Sequence, residues 1–214
     1  LQRIIFLELS TRAAQELESK APSSFQARKL QAESLESQGK YDEAISIYRK
    51  ILEKNPNTPG IHYRLGQIML MQVSSSDSPA SAEAEFQQEI TIDPLNAAAE
   101  FVLGELARRS NRWNDAIVHF TRASTLDVGF SEAYLALGMS LTASGQFARS
   151  ITPLEKYAIM EPGDPAGHYQ LALAYARVGN RDASARQMIL QRQAAASSSQ
   201  SLDTVEGHTA PQQH

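Results

Sequence analysis

The sequence predicts an all-α solenoid, a stack of antiparallel helix pairs, and three observations predict it. The first is a period. Residues 131–147 (SEAYLALGMSLTASGQF) and 165–181 (PAGHYQLALAYARVGNR) nearly repeat each other, and 34 residues separate Ala32 from Gly66, Gly104 from Gly138, Gly138 from Ala172 and Phe120 from Leu154. A fixed period of a few tens of residues marks stacked supersecondary units. The second is helical spacing inside the period. In the block 97–130, apolar or small residues fall at Leu103, Gly104, Leu106 and Ala107, then at Trp113, Ala116, Ile117, Phe120 and Ala123, two runs that each lay one stripe along a helix. The third is the break between the runs: Gln38-Gly39-Lys40, Ser110-Asn111-Arg112, Ser144-Gly145-Gln146 and Val178-Gly179-Asn180. Gly or Asn there suits the left-handed conformation that ends one helix and turns into the next.

Taken in order, residues 1–24 carry a helical stripe (Ile4, Ile5, Leu7, Leu9, Ala13, Leu17) that stops near Pro22, expected to be a partial upstream unit or a cap. Five units follow, 25–58, 59–96, 97–130, 131–164 and 165–192, forming one repeat domain over 25–192. The step from Gly66 to Gly104 is 38 residues, four above the period. The polar stretch VSSSDSPASA absorbs the excess, because surface loops tolerate extra length, and Ser78-Pro79 is placed to restart a helix. Residues 193–214 have little apolar content and no period, so they are expected to form a disordered tail.

Composition limits the functions available. The 214 residues hold 20 Lys+Arg against 24 Asp+Glu, a formal net charge of −4, and no cysteine. That balance gives no electrostatic footprint for nucleic acid, and the missing thiols remove disulfides and Cys-based zinc sites. No apolar run has the length of a membrane span. The first residue is Leu1 rather than Met, which suggests a fragment or processed product and leaves localisation open. Gly-rich phosphate loops, His-Glu-x-x-His helices and Gly-x-Ser-x-Gly elbows are absent, so neither an enzyme nor a cofactor is expected. The five histidines are scattered. His62 and His168 take the fourth position of their units, where a packed imidazole is expected and no metal is implied. Glu89 stands where the next unit has Ala123; either it snorkels to solvent past the insertion, or it locks units together.

The position-by-position pattern resembles the tetratricopeptide repeat. Tyr134-x-x-Leu137-Gly138 and His62-x-x-Leu65-Gly66 match its first helix. Ala44-x-x-x-Tyr48, Ala82-x-x-x-Phe86 and Ala116-x-x-x-Phe120 match its second, and Pro56, Pro94 and Pro162 close three units. Departures are Gln31-Ala32 for Leu-Gly, Val128 for the closing Pro, and Ser150 and Ser184 for the packing Ala.

The resemblance implies a right-handed superhelix whose concave face comes from first helices. Carried onto this chain, that face holds Lys29, Tyr63, Phe101, Leu135 and Tyr169 in one row, flanked by Arg64, Gln67, Glu105, Arg108, Met139, Gln170 and Arg177. Aromatics interspersed with arginine are the composition of a binding surface; packing against neighbouring helices is the other reading of Tyr63, Phe101 and Tyr169. Two specialised grooves of the family do not fit. The chaperone-tail clamp would need a Lys/Asn/Asn/Lys/Arg set, but Lys29 is followed by Glu33, Arg64, Ala98 and Val102. The asparagine ladder of the sugar-transferase repeats would need Asn where Leu30, Arg64, Val102, Ala136 and Gln170 stand. The expected function is therefore a non-catalytic scaffold that binds a protein, as a peptide or partner helix, in its groove. A docking arm of a larger enzyme and a self-associating structural module are the alternatives.

Overall fold

A computed structural model describes residues 24–72 and 78–206. The segment 1–23, with its predicted cap, the insertion residues 73–77 and the end 207–214 lie outside the described residues. Those described form helices joined by short turns: α1 (Phe25–Ser37), α2 (Tyr41–Lys54), α3 (Ile61–Met71), α4 (Ser78–Ile92), α5 (Ala97–Arg109), α6 (Trp113–Leu126), α7 (Ser131–Ala143), α8 (Phe147–Met160), α9 (Pro165–Arg177) and α10 (Arg181–Glu206). No strand occurs among them. Each predicted unit thus holds one first helix (odd-numbered) and one second helix (even-numbered). The chain divides into two compact units, Leu1–Ala99 and Glu100–His214.

The turns inside the pairs obey backbone sterics. Gly39, Gly145 and Gly179 adopt φ of 72°, 79° and 83°, and the equivalent Asn111 adopts 56°. Asparagine is the non-glycine residue that enters this region at least cost. Helix starts use side-chain caps where the chain supplies them. Ser24 Oγ accepts from Ala27 N–H at 3.1 Å, and Asn96, Asp164 and Asn180 do the same for α5, α9 and α10 at 3.0, 2.9 and 3.1 Å. Each such cap contributes about 1 kcal/mol.

The pairs α3/α4, α5/α6 and α7/α8 close by placing a large side chain of the second helix against a glycine of the first, where α1 and α9 have Ala32 and Ala172. A Cβ built on Gly66 would lie 2.8 Å from the Phe86 ring, one on Gly104 2.6 Å from Phe120, and one on Gly138 2.4 Å from Leu154. These large partners are fully buried. In the first compact unit Ala44, Tyr48, Ile51, Ile61, Leu65 and Ile68 form a continuous core. In the second, Ala116, Ile117 and Phe120 pack with Ala136, Leu137 and Leu141, and Leu154 packs with Leu171 and Ala174. The two serines at the packing-alanine position bond instead of leaving a polar gap: Ser150 donates to the Phe147 carbonyl at 2.8 Å and Ser184 reaches the Ala172 carbonyl at 2.9 Å.

The last helix differs from the sequence expectation. The domain boundary falls at 192 on the repeat count, with a tail after it, yet α10 continues to Glu206. Ala194, Ala195 and Ala196 carry the helix past the boundary with the strongest helix former, no proline interrupts it, and Ala194 is buried.

Candidate functional site

The polar side chains of the fold belong to two classes, those that hold helices together and those left facing outward from first helices. Glu89 is the clearest of the first class. It is fully buried, and its carboxylate accepts from the N–H groups of Gly60 at 2.7 Å and Tyr63 at 3.1 Å, and from Asn96 Nδ2 at 3.2 Å. A helix start leaves N–H groups without intrahelical partners and carries partial positive charge. Glu89, on α4, supplies the anion that α3 lacks at Gly60, and Asn96 carries the connection to the start of α5. Of the two readings of Glu89, the snorkelling one is overturned, and the lock lies within the unit 59–96 rather than between units: the carboxylate turns inward onto two backbone donors of its own unit.

A second polar device recurs. Position 4 of the first helix meets position 23 of the second in three pairs: His62 Nδ1 with Glu85 Oε2 at 2.6 Å, Glu100 Oε2 with His119 Nδ1 at 2.7 Å, and His168 Nδ1 with Gln187 Oε1 at 2.7 Å. Glu85 also lies 3.7 Å from Arg49, and the fully buried Glu100 lies 3.0 Å from Arg122 Nε. The imidazoles are thus clasps between helices. Among the described residues no three His, Asp or Glu side chains converge on a metal position, and no helix is long and apolar enough to cross a membrane.

The residues nominated for the groove distribute unevenly. Tyr63 and Phe101 are half-buried and pack against aromatic rings: Tyr63 meets Phe86 edge-on at 5.5 Å, and Phe101 lies 5.5 Å from Phe120 and 4.7 Å from Phe130. Burial pushes the Tyr63 hydroxyl pKa up. Leu135 is half-buried against the Leu154 cluster, and Met139 and Gln170 are half-buried too. Arg108 forks onto Glu105 on its own helix at 3.0 and 2.8 Å, and Arg177 lies over the Phe147 ring at 5.4 Å. Tyr169 is the nominated aromatic that stands out from the surface, 44% exposed, with Leu173 beside it on the next turn.

Arg64 and Gln67 come together in the first compact unit. They line a cavity of about 420 Å³ between α1 and α3, with Glu33, Glu36, Tyr41 and Met71. Arg64 Nη1 is 3.6 Å from Glu36 Oε2. Burial is the main influence on the Glu36 carboxyl and pushes its pKa up, against the opposing pull of Arg64. Tyr48 lies fully buried behind Glu36. Its hydroxyl and the Glu36 carboxylate face each other, at a geometry short of a normal hydrogen bond. Glu36 is not among the residues nominated from the sequence, and its burial beside Tyr48 was not legible there.

The helix pairs, the glycine notches and the left-handed turns define a helical-repeat protein. The tetratricopeptide-repeat family model matches residues 25–68. Solved structures agree along most of the chain. MamA is 23% identical with a TM-score of 0.69, over 79% of this chain and 96% of that one. YrrB, described as a TPR protein with an unusual peptide-binding site, is 18% identical with a TM-score of 0.73, over 91% and 98%. MamA from Desulfovibrio magneticus RS-1 is 15% identical with a TM-score of 0.68, over 80% and 95%. No curated protein matches the sequence. The family model thus covers the first helix pair and most of the next helix, and the likeness to the solved structures shows that the chain has the fold of these helical-repeat proteins.

Proposed function

We propose that the protein is an interaction scaffold whose first-helix faces hold an extended peptide or a partner helix. The cavity between α1 and α3 carries this reading. It lies between two first helices, with Tyr41 at the start of α2 on its edge, and it combines charged groups with the 58%-exposed Met71. In the second compact unit the corresponding face offers Tyr169, Leu173 and Arg177. The half-buried Tyr63 and Phe101 shape the floor of the surface, and exposed residues make the contacts, as expected of hot spots set among structural neighbours. The peptide-binding site in the description of YrrB is in keeping with this use of the fold; fold alone does not choose a ligand.

A second reading is favoured by one observation. A concavity of about 460 Å³ on α8, α9 and α10 is walled by Ile159, 75% exposed, and Leu190, 40% exposed, which would seat a partner on second helices instead. Site-specific photo-cross-linking separates the two. A photoreactive residue at Met71 or Tyr169 should capture a partner that a probe at Ile159 or Val118 does not. Capture only from Ile159 or Val118 would move the site.

A further inference from the structure

We propose that the cavity between α1 and α3 receives one basic side chain of the bound segment, a lysine or arginine whose charge rests against Glu33 and Glu36 and whose methylenes lie along Met71. This rests on the reading that first-helix faces hold a peptide, and it names what the segment must contain.

Charge balance is the first argument. Two carboxylates and one guanidinium line the cavity, and Arg64 already takes Glu36 Oε2 at 3.6 Å. The remaining oxygen, Oε1, is buried with the Tyr48 hydroxyl as its neighbour, at a geometry short of a normal hydrogen bond. Two carboxylates that share one guanidinium and one poorly aligned hydroxyl are incompletely compensated, and a cation brought by a ligand would complete the balance. The second argument comes from behind the site. Tyr48 is fully buried, and its hydroxyl faces Glu36 at a geometry short of a normal hydrogen bond. The charges that act on it are Glu36, Glu33 and Arg64, the same three that line the cavity. It supplies a fixed dipole that can support Glu36 as the carboxylate turns toward an incoming cation. The third is shape. Ile68 and the exposed Met71 form an apolar wall, suited to the methylene stem of a long basic side chain with its charge at the tip. An anionic ligand would meet two carboxylates and only one arginine, already engaged.

The test uses immobilised octapeptides with Lys, Arg, Leu or Glu at a central position and randomised flanks, probed with the full chain. The expected result is a preference for Lys and Arg over Leu of about 10-fold or more, the scale of one charge-assisted hydrogen bond. Glu33→Gln with Glu36→Gln should abolish that preference and leave Leu peptides bound, so a general loss of folding cannot imitate it. Arg64→Gln frees Glu36 Oε2 and should strengthen Lys binding about 2-fold or more, a gain that a misfolded variant cannot give. Three results would overturn the proposal while leaving the groove standing: equal binding of Lys and Leu peptides, a Lys preference unchanged in the double variant, or a Glu preference that Arg64→Gln removes. Binding of no peptide would overturn the groove reading and this one with it.

Discussion

The helix pairs α3/α4 and α7/α8 fill the same places in the repeat and are tied by different chemistry. In α3/α4 carboxylates make the ties: Glu85 to His62 and Arg49, and Glu89 to the backbone at the start of α3. Around α7/α8 tyrosine hydroxyls make the ties, and these join the pair to α6 and α9 rather than α7 to α8. Tyr134 donates to the Ser124 carbonyl at 3.0 Å, Tyr157 donates to Asp164, the cap of α9, and Tyr175 on α9 donates to Glu155. Tyr157 stands at the repeat position of Glu89, and Pro153 stands where Glu85 would make its clasp. Both pairs keep the glycine notch. Small-against-large packing therefore sets the helix pair, and the surrounding positions exchange polarity as long as each buried polar group finds a partner.

Breaking what the two pairs share should have the largest effect. Gly138→Val and Gly66→Val each push a side chain into Leu154 or the Phe86 ring. Each should cost about 3 kcal/mol, the upper end for overpacked cores, seen as similar drops in the urea midpoint. Unequal losses would show that one pair can repack. Glu89→Ala comes next. It leaves two buried N–H groups without their acceptor and should cost about 2–3 kcal/mol, whereas Tyr157→Phe removes one hydroxyl and should cost about 1 kcal/mol. Equal losses would contradict the difference between a carboxylate tie inside one pair and a tyrosine tie to the next.

Alkaline pH sharpens the same division. The hydrogen bond to Glu155, followed by burial, pushes the Tyr175 pKa up to about 12 from an ordinary value of 10, and burial with Asp164 raises Tyr157 in the same direction. A phenol with a raised folded pKa keeps its proton longer in the fold than in the unfolded chain. Its contribution is complete below pH 10 and is lost as pH rises toward 12. Urea midpoints measured across that window should fall less steeply in Tyr175→Phe than in the parent; identical slopes would remove Tyr175 from the account. The smallest effect is a gain. Asn111→Gly relieves the one described non-glycine residue with positive φ and should raise stability by about 0.5 kcal/mol.

The period made the five helix pairs, their turns and the glycine notches legible in the sequence, because these depend on residue size and backbone freedom at fixed spacing. The clasps were legible in principle. His62 and Glu85, Glu100 and His119, and His168 and Gln187 occupy the same two repeat positions once the four inserted residues are discounted, but the exchange of acid and imidazole between pairs hid the pattern. The partners of Glu89 were not legible, since two are backbone N–H groups 29 and 26 residues away. On the binding face, repeat position nominated Tyr63, Phe101 and Tyr169 alike. Their exposures differ because Phe86 and Phe120 pack against the first two.

The most direct test of the account is amide hydrogen exchange of the full chain with and without the partner captured by cross-linking. The account predicts added protection in α1 and α3, around Glu36 and Arg64, and in α9 around Tyr169, with the exposed faces of α2, α6 and α8 unchanged. Protection confined to those second helices would contradict it.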